Sequence, residues 1–509
     1  KTLEEGGGSY IETVPKRGYR FVANVRQLSD EVAGPQAEVR STPARINAIA
    51  VLPLRQLVAD DADNFLGLGV ADALITRLSN LKQVVIRPTS AVLKYADREQ
   101  DPVAAGRELK VEAVLEGSIQ KAGQRIRVTV QLVSIEDRAP LWADRIDTEF
   151  TDIFAVEDSI SEQVARALTD TLTSHEKRRL TRHYTENTEA YHLYIKGRYH
   201  WTKRTLAGTK KGIEYFQQAI DTDPTYSLAL SGLADCYAQL GWLRGMAPSE
   251  VFPKAKAAAT RAIEIDDELA EAYASMAWIE MVYDWDWEGS QRDFKRSIDL
   301  NPNYSIARLW RTVYLIATAR FEEAHAEINR ALNIDPLSPI INTIAGWPFY
   351  FSRNYTEAIA TYRKALEIEP RYFPAHLLSG YAYGQRGDLV EAMECFQKAS
   401  QLEQSSMALA GIGHTHARMG SRGKAMEVLA EMYELSKSGY VSPYDVADIY
   451  VFLNESGPAF EWLEKAYHDR SSWLILLGVE PRFDPLRGDP RFKELLRRIG
   501  LSAAADERR

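Results

Sequence analysis

Residues 303–404 carry one pattern three times without a gap: "NYSIARLWRTVYLIATARFEEAHAEINRALNIDP", "LSPIINTIAGWPFYFSRNYTEAIATYRKALEIEP" and "RYFPAHLLSGYAYGQRGDLVEAMECFQKASQLEQ". Ala331, Ala365 and Ala399 stand 34 residues apart, as do Pro302, Pro336 and Pro370. In each copy a small residue (Ala324, Ala358, Ala392) is followed four positions later by a larger apolar one (Ile328, Tyr362, Phe396) and three later by another alanine. Those intervals place all three on one face of a helix. Proline closes each of the first two copies, because it cannot continue a helix and drives the residue before it into an extended conformation. A bundle of ordinary amphipathic helices has no reason to repeat the same small residues at a fixed interval.

The set Gly346, Phe349, Tyr355, Ala358, Tyr362, Ala365 and Pro370 resembles the tetratricopeptide repeat. That resemblance implies two antiparallel helices per copy, stacked into a right-handed superhelix with a concave groove. Residues 303–404 are therefore expected to form six consecutive antiparallel helices. The pattern extends upstream through Gly197, Phe216, Ala219 and Pro224, then through a copy lengthened by "LRGMAPSEVF", then through one with Trp285 and Trp287 in its interhelical turn. Downstream it weakens but continues through Ala425, Ala459, Leu463 and Ala466, which gives an array of about eight copies over residues 187–473. Residues 474–501, with two Asp-Pro turns ahead of an amphipathic helix, are read as the cap that a terminal repeat requires.

Such a chain, at 509 residues, is too long for one core. Its formal charge of −9 argues against a surface built mainly for nucleic acid. Cys236 and Cys395 are the two cysteines, and two thiols in repeat helices suit a reducing compartment better than a disulfide framework. No apolar run is long enough to span a bilayer, so no membrane partner is expected and a cytoplasmic location is.

Ahead of the repeats, residues 1–26 contain "YIETVPKRGYRFVA", two alternating runs around a turn at Pro15 to Gly18. The phrase resembles the C-terminal wing of the OmpR/PhoB-type winged-helix DNA-binding domain, as found in one-component regulators resembling CadC and ToxR. The resemblance implies that Lys16, Arg17, Tyr19 and Arg20 would meet the sugar-phosphate backbone, which fixes register without reading bases. A helix-turn-helix precedes the wing in that family. The chain starts at Lys1 with only "KTLEE" ahead of the hairpin, so Lys1 is not read as a native start and DNA is expected as a partner only with an intact head. Residues 27–44, poor in large apolar side chains and holding two prolines, read as a linker.

Residues 45–174 alternate strand and helix patterns. "AVLPL", "GVADALITRLSN", "AAGRELKVEAVLEGSI", "RIRVTVQLV" and "LWADRID" resemble the TolB/FlgO-like α/β domain, which brings no catalytic set with it. On the hairpin turning near Gly123, Ile126, Val128, Val130 and Leu132 alternate with Arg125, Arg127, Thr129 and Gln131. With Lys121 the arginines could form a basic face for an acidic partner, or simply the solvated side of a sheet. "GLG" at Gly67–Gly69 lacks both the third glycine of a dinucleotide fingerprint and the lysine of a P-loop.

The expected fold class is thus multidomain: a residual winged-helix hairpin, a small α/β domain and an all-α tetratricopeptide superhelix. No catalytic constellation appears. The histidines are scattered, with His414 and His416 on different sides of one helix, and no metal or cofactor set is expected. Function is expected in the repeat groove, where Tyr199, Trp310, Tyr314, Trp347, Tyr350, Tyr381 and Tyr383 could hold a protein or peptide ligand, or could pack the core. The resemblances together imply the sensor and interaction portion of a winged-helix transcriptional regulator that is not an enzyme. The alternatives are a scaffold without a DNA role and the accessory region of a nucleotide cyclase or kinase system. The oligomeric state stays open, a dimer included.

Overall fold

A computed structural model describes residues 11–14, 18–21, 46–57, 66–96, 101–123, 125–149, 153–169, 172–202, 205–403 and 405–501. The chain divides into two compact units, Lys1–Arg45 and Ile46–Arg509. In the first, β1 (Ile11–Val14) pairs antiparallel with β2 (Gly18–Phe21), Ile11 opposite Phe21 and Val14 opposite Gly18. The linker segment 27–44 and the terminal residues 502–509 lie outside the described residues.

The second unit opens with a mixed six-stranded sheet. β3 (Ala48–Val51), β4 (Arg55–Gln56), β5 (Val85–Ile86), β6 (Ala113–Ala122), β7 (Arg125–Ser134) and β8 (Pro140–Glu149) run in the order β5-β3-β6-β7-β8, with β4 also on β6. β3 is parallel to both β5 and β6, and β6, β7 and β8 form an antiparallel meander. The reason is visible in the chain. β3 reads as a continuous apolar run and is buried at every position. β7 buries Ile126, Val128, Val130 and Leu132 while Arg125, Arg127 and Thr129 stay exposed, as period-two alternation requires. Gly123, at φ 62, supplies the left-handed turn between β6 and β7 that a side chain would strain. Helices α1 (Leu66–Leu78), α2 (Thr89–Val92), α3 (Pro102–Leu109) and α4 (Ile153–Leu168) complete this module, and α5 (Ser174–Leu180), closed by a Thr173–Glu176 capping box, leads out of it.

Eight helix pairs follow among the described residues: α6 (Thr188–Thr202) with α7 (Leu206–Thr222), α8 (Ser227–Trp242) with α9 (Pro248–Ile265), α10 (Ala270–Ile279) with α11 (Trp287–Leu300), and α12 (Ser305–Ala317) with α13 (Phe321–Ile334). The fifth pair sets α14 (Pro339–Ile344) and α15 (Trp347–Phe351) against α16 (Tyr355–Ile368). The last three are α17 (Phe373–Arg386) with α18 (Leu389–Leu402), α19 (Ser406–Arg418) with α20 (Arg422–Ser436), and α21 (Pro443–Phe452) with α22 (Ser456–His468). Helix α23 (Pro490–Arg498) ends the fold. The small residues of the repeat are small because aromatic rings fill the space beside them. A Cβ on Gly346 would stand 2.3 Å from the Tyr362 ring, and one on Gly380 2.6 Å from that of Phe396. Ala324, Ala358 and Ala392 are fully buried, as are Ala331, Ala365 and Ala399.

The six-helix expectation for residues 303–404 needs one correction. The first helix of the middle copy is broken into α14 and α15. Pro348 has no N–H to give to Ile344 and its ring crowds that carbonyl, so the helix stops and restarts at Gly346.

Candidate functional site: the inner face of a closed repeat array

The α/β module sits on the turns that end successive repeats. Asn303, just after α11, donates from Nδ2 to the carbonyls of Ser79, Leu81 and Val84, each at 3.1 Å. Arg87 on the module donates to the carbonyl of Ile334 at 2.9 Å and to that of Asn333, satisfying the C-terminal end of α13. Ser90 donates to Asp335 at 2.7 Å, and Arg179 donates to the carbonyls of Leu300 and Glu268 at 2.6 and 2.7 Å. Tyr191 of α6 donates to Glu157 of α4, whose carboxylate also meets Arg77 at 3.1 Å. Burial pushes the Glu157 carboxyl up to about 7 against the pull of Arg77, and burial lifts Asp335 to about 6. The Gly67–Gly69 run lies inside α1 with no phosphate loop. A Cβ at Gly67 would strike the Leu54 carbonyl at 1.9 Å, and one at Gly69 the Ile195 side chain of α6 at 2.2 Å, so these glycines serve close packing.

At the far end the array returns on itself. Arg244, after α8, pairs with Asp445 of α21 at 2.8 Å, both buried. Arg470 donates to the Tyr283 carbonyl at 3.0 Å and lies 3.9 Å over the Trp285 ring. Trp287 donates to the Ile499 carbonyl at 2.8 Å. Trp285 and Trp287, placed by the sequence in an interhelical turn, thus hold the C-terminal segment. Helix α23 lies on α22 through Arg498, which pairs with Glu464 at 2.7 Å and covers the Tyr467 ring.

Between α22 and α23 the chain runs through the inner face of the array. Leu474, Ile475, Leu476, Leu477, Val479 and Phe483 are fully buried there. Arg482 is 1% exposed, yet its guanidinium meets Asp448 and Glu480 at 2.8 Å each and lies 4.0 Å over the Tyr381 ring. Tyr350 donates to Glu480 at 2.9 Å, and Arg353 donates to the Val479 carbonyl at 2.7 Å and pairs with Asp484 at 2.8 Å. Burial opposes ionisation of Asp448, but Arg482 and His414 hold its carboxyl below the usual range. His414 is itself lowered by burial.

The sequence left two roles open for the groove aromatics, ligand contact or core packing. Tyr314, Trp347, Tyr350 and Tyr381 are almost wholly buried, so they do not offer a free surface. Tyr350 and Tyr381 bind the chain's own C-terminal segment, and Tyr314 donates to Gln291 of the preceding helix at 3.1 Å. Trp310, Tyr199 and Tyr383 stay half-buried, and Tyr383 accepts from Arg363 at 2.7 Å. No signal in the residues around 474–486 distinguishes a segment that caps a repeat from one that enters the groove. Both need apolar side chains, and the partners of Arg482, which anchors the segment, lie 34 residues and two residues upstream, a pairing that only the folded array brings about.

Lys16 and Arg17 lie outside the described residues, and Tyr19 and Arg20 are placed only as backbone of β2. The basic face of the β6–β7 hairpin is partly neutralised by β8, where Asp147 takes Arg127 at 2.5 Å and Arg145 at 3.4 Å, as on the solvated side of a sheet. Cys236 is buried and Cys395 half-buried, and neither is in a disulfide; burial pushes Cys395 up to about 11. Among the described residues no helix is long and apolar enough to cross a membrane.

The inner face also contains a cavity of about 120 Å³ that the C-terminal segment leaves unfilled. Trp242, Trp278, Trp310, Trp347 and Trp473 line it together with Asp235.

Residues 45–163 match the family described as the second domain of the HilA/YgeH-like transcriptional regulator. Residues 350–387 match the TPR repeat and residues 373–406 the tetratricopeptide repeat. A protein of Rhizobium meliloti (strain 1021) named "Putative adenylate cyclase 3" is 27% identical over 209 residues, or 41% of this chain, and the chain spans 35% of that relative's length. Among solved structures, a tetratricopeptide repeat protein of Parabacteroides merdae ATCC 43184 aligns at 14% identity with a TM-score of 0.38, covering 53% of this chain and 100% of its own. A thermophilic TPR protein of Thermus thermophilus aligns at 17% identity and a TM-score of 0.32, covering 38% and 98%. The chain is therefore similar in its first module to the second domain of HilA/YgeH-like regulators and in its helical array to tetratricopeptide proteins.

Proposed function

We propose that this chain is the sensor and protein-interaction portion of a transcriptional regulator, in which the repeat array receives a protein partner and the α/β module passes its state to a DNA-binding head. The observation that carries the reading is the likeness of residues 45–163 to a regulator's second domain. The buried polar bonds from Asn303, Arg87 and Arg179 support it, because they make a stiff joint between that module and the array. The wing-like hairpin sequence around Lys16 to Arg20 suits the same role. The finer resemblance, to regulators resembling CadC and ToxR with a TolB-like middle domain, belongs to this proposal.

The test is an electrophoretic shift assay on the chain expressed with its native upstream coding sequence. Binding to its own promoter region that weakens steeply as salt rises supports the reading; absence of any shift removes it. A pull-down with the same product identifies the partner of the repeats.

A second reading has its own support. The relative from Rhizobium meliloti bears a cyclase name and matches this chain over 209 residues, 35% of its own length, which suits an accessory region of such a protein. Cyclic nucleotide formed by the product with its native upstream sequence would favour this reading.

A further inference from the structure

The cavity inside the array has the make-up of a cation site. Its tryptophans come from four different repeats and from the C-terminal segment: Trp242 ends α8, Trp278 lies on α10, Trp310 on α12, Trp347 on α15, and Trp473 enters from beyond α22. Trp242 meets Trp278 at 69° and Trp347 meets Trp473 at 65°, with centroids 4.8 and 5.9 Å apart, while Trp242 and Trp473 lie closer to parallel at 29° and 5.7 Å. The lining contains no lysine, arginine or histidine, and its one carboxylate is Asp235, which accepts from Ser275 at 2.5 Å and is 4% exposed. Arg244 and Arg482 lie 4.9 and 6.0 Å over the Trp473 ring, but their charges are met by Asp445 and by Asp448 with Glu480.

Tryptophan faces attract cations through the ring quadrupole, most strongly where water is excluded, and a buried carboxylate adds to that preference. Two groups ask for a partner. The indole N–H groups of Trp347 and Trp473 are buried and have no hydrogen-bond acceptor among the described residues, and such donors are costly to leave unpaired. A cavity of about 150 Å³ is enough for benzene, so the smaller space here, about 120 Å³, suits a compact ammonium head alone, with any arm directed to the mouth. Trp242 and Trp310, half-buried, stand at its mouth.

We propose that this chamber binds a small organic ammonium ion bearing a hydrogen-bond acceptor, the cation held by the tryptophan faces and Asp235 and the acceptor by the Trp347 and Trp473 N–H groups. The site is complete only when the C-terminal segment is seated, since that segment supplies Trp473. The inference does not depend on the regulatory reading above.

The experiment titrates the full chain with choline, with tetramethylammonium and with 3,3-dimethylbutan-1-ol, the neutral carbon analogue of choline, following tryptophan fluorescence and heat. Choline is expected to bind about tenfold or more tightly than the neutral analogue, the margin that a desolvated cation–π site supports. Tetramethylammonium, lacking the acceptor, should fall between them. Asp235→Asn should narrow the gap between choline and its analogue. If that variant proves unfolded by circular dichroism, Trp310→Ala, at the mouth of the chamber, should weaken choline binding while the helical circular dichroism signal is retained. Equal binding of choline and the neutral analogue, or no signal from any of the three, overturns the proposal.

Discussion

Arg482 concentrates more interactions than any other side chain in the C-terminal segment, and its burial makes it a sensitive test of how that segment is held. Replacing it with alanine would take from the buried carboxylates of Asp448 and Glu480 the guanidinium that pairs with both. Breaking a buried pair from one side costs about 3–5 kcal/mol, so Arg482→Ala should lower the melting temperature sharply, and a melt within a degree of the parent would refute the account. Ala365 tests the repeat register in the same way. It is fully buried in α16, and Ala365→Arg forces a long cation between helices at a cost above the roughly 1–3 kcal/mol of ordinary overpacking. Circular dichroism and melting unchanged by that substitution would show the register to be wrong. Residues of this kind were legible from the chain: Gly346, Ala358, Tyr362 and Ala365 recur at a fixed period because one glycine must admit one ring. Arg482 was not, because its partners are set by tertiary closure and leave no periodic trace.

Elements meet in this protein through buried carboxylates, and that makes the joint between module and array sensitive to pH. Glu157 of α4 titrates near 7 when folded, against about 4.5 in an unfolded chain. A folded state that holds its proton more tightly gains stability below the unfolded value and loses it as pH rises through the folded one. Stability should therefore fall between about pH 4.5 and 7, by up to about 3 kcal/mol from this group, with Asp335 contributing over a lower window up to about 6. Glu157→Gln should flatten that slope in chemical denaturation measured from pH 5 to 8; an unaltered slope would place its origin elsewhere. The C-terminal segment offers a second test at this scale. Ending the chain at residue 470 should bare Trp347, Tyr350 and Tyr381, shift tryptophan emission to the red and raise binding of a hydrophobic dye. The helices themselves were readable from spacing, but the break at Pro348 and the lodging of 472–486 in the groove were not. The first is a local override of a period by one imino acid, and the second is a choice between two apolar surfaces that sequence describes alike.

Over the whole molecule, the repeat pattern conveyed architecture, and two of the groove aromatics, Trp310 and Trp347, line an inner cavity. What it could not convey was occupancy: Tyr350 and Tyr381 serve a ligand that is part of the same chain. The bond from Arg244 to Asp445 has a consequence for how the array comes apart. In an open stack each repeat leans only on its neighbours, so unfolding can begin at either end and spread by degrees. Here the second pair is fastened to the eighth, and neither end is free to fray alone. Loosening must begin with the simultaneous release of both, which turns a gradual unzipping into a single cooperative opening of a hoop.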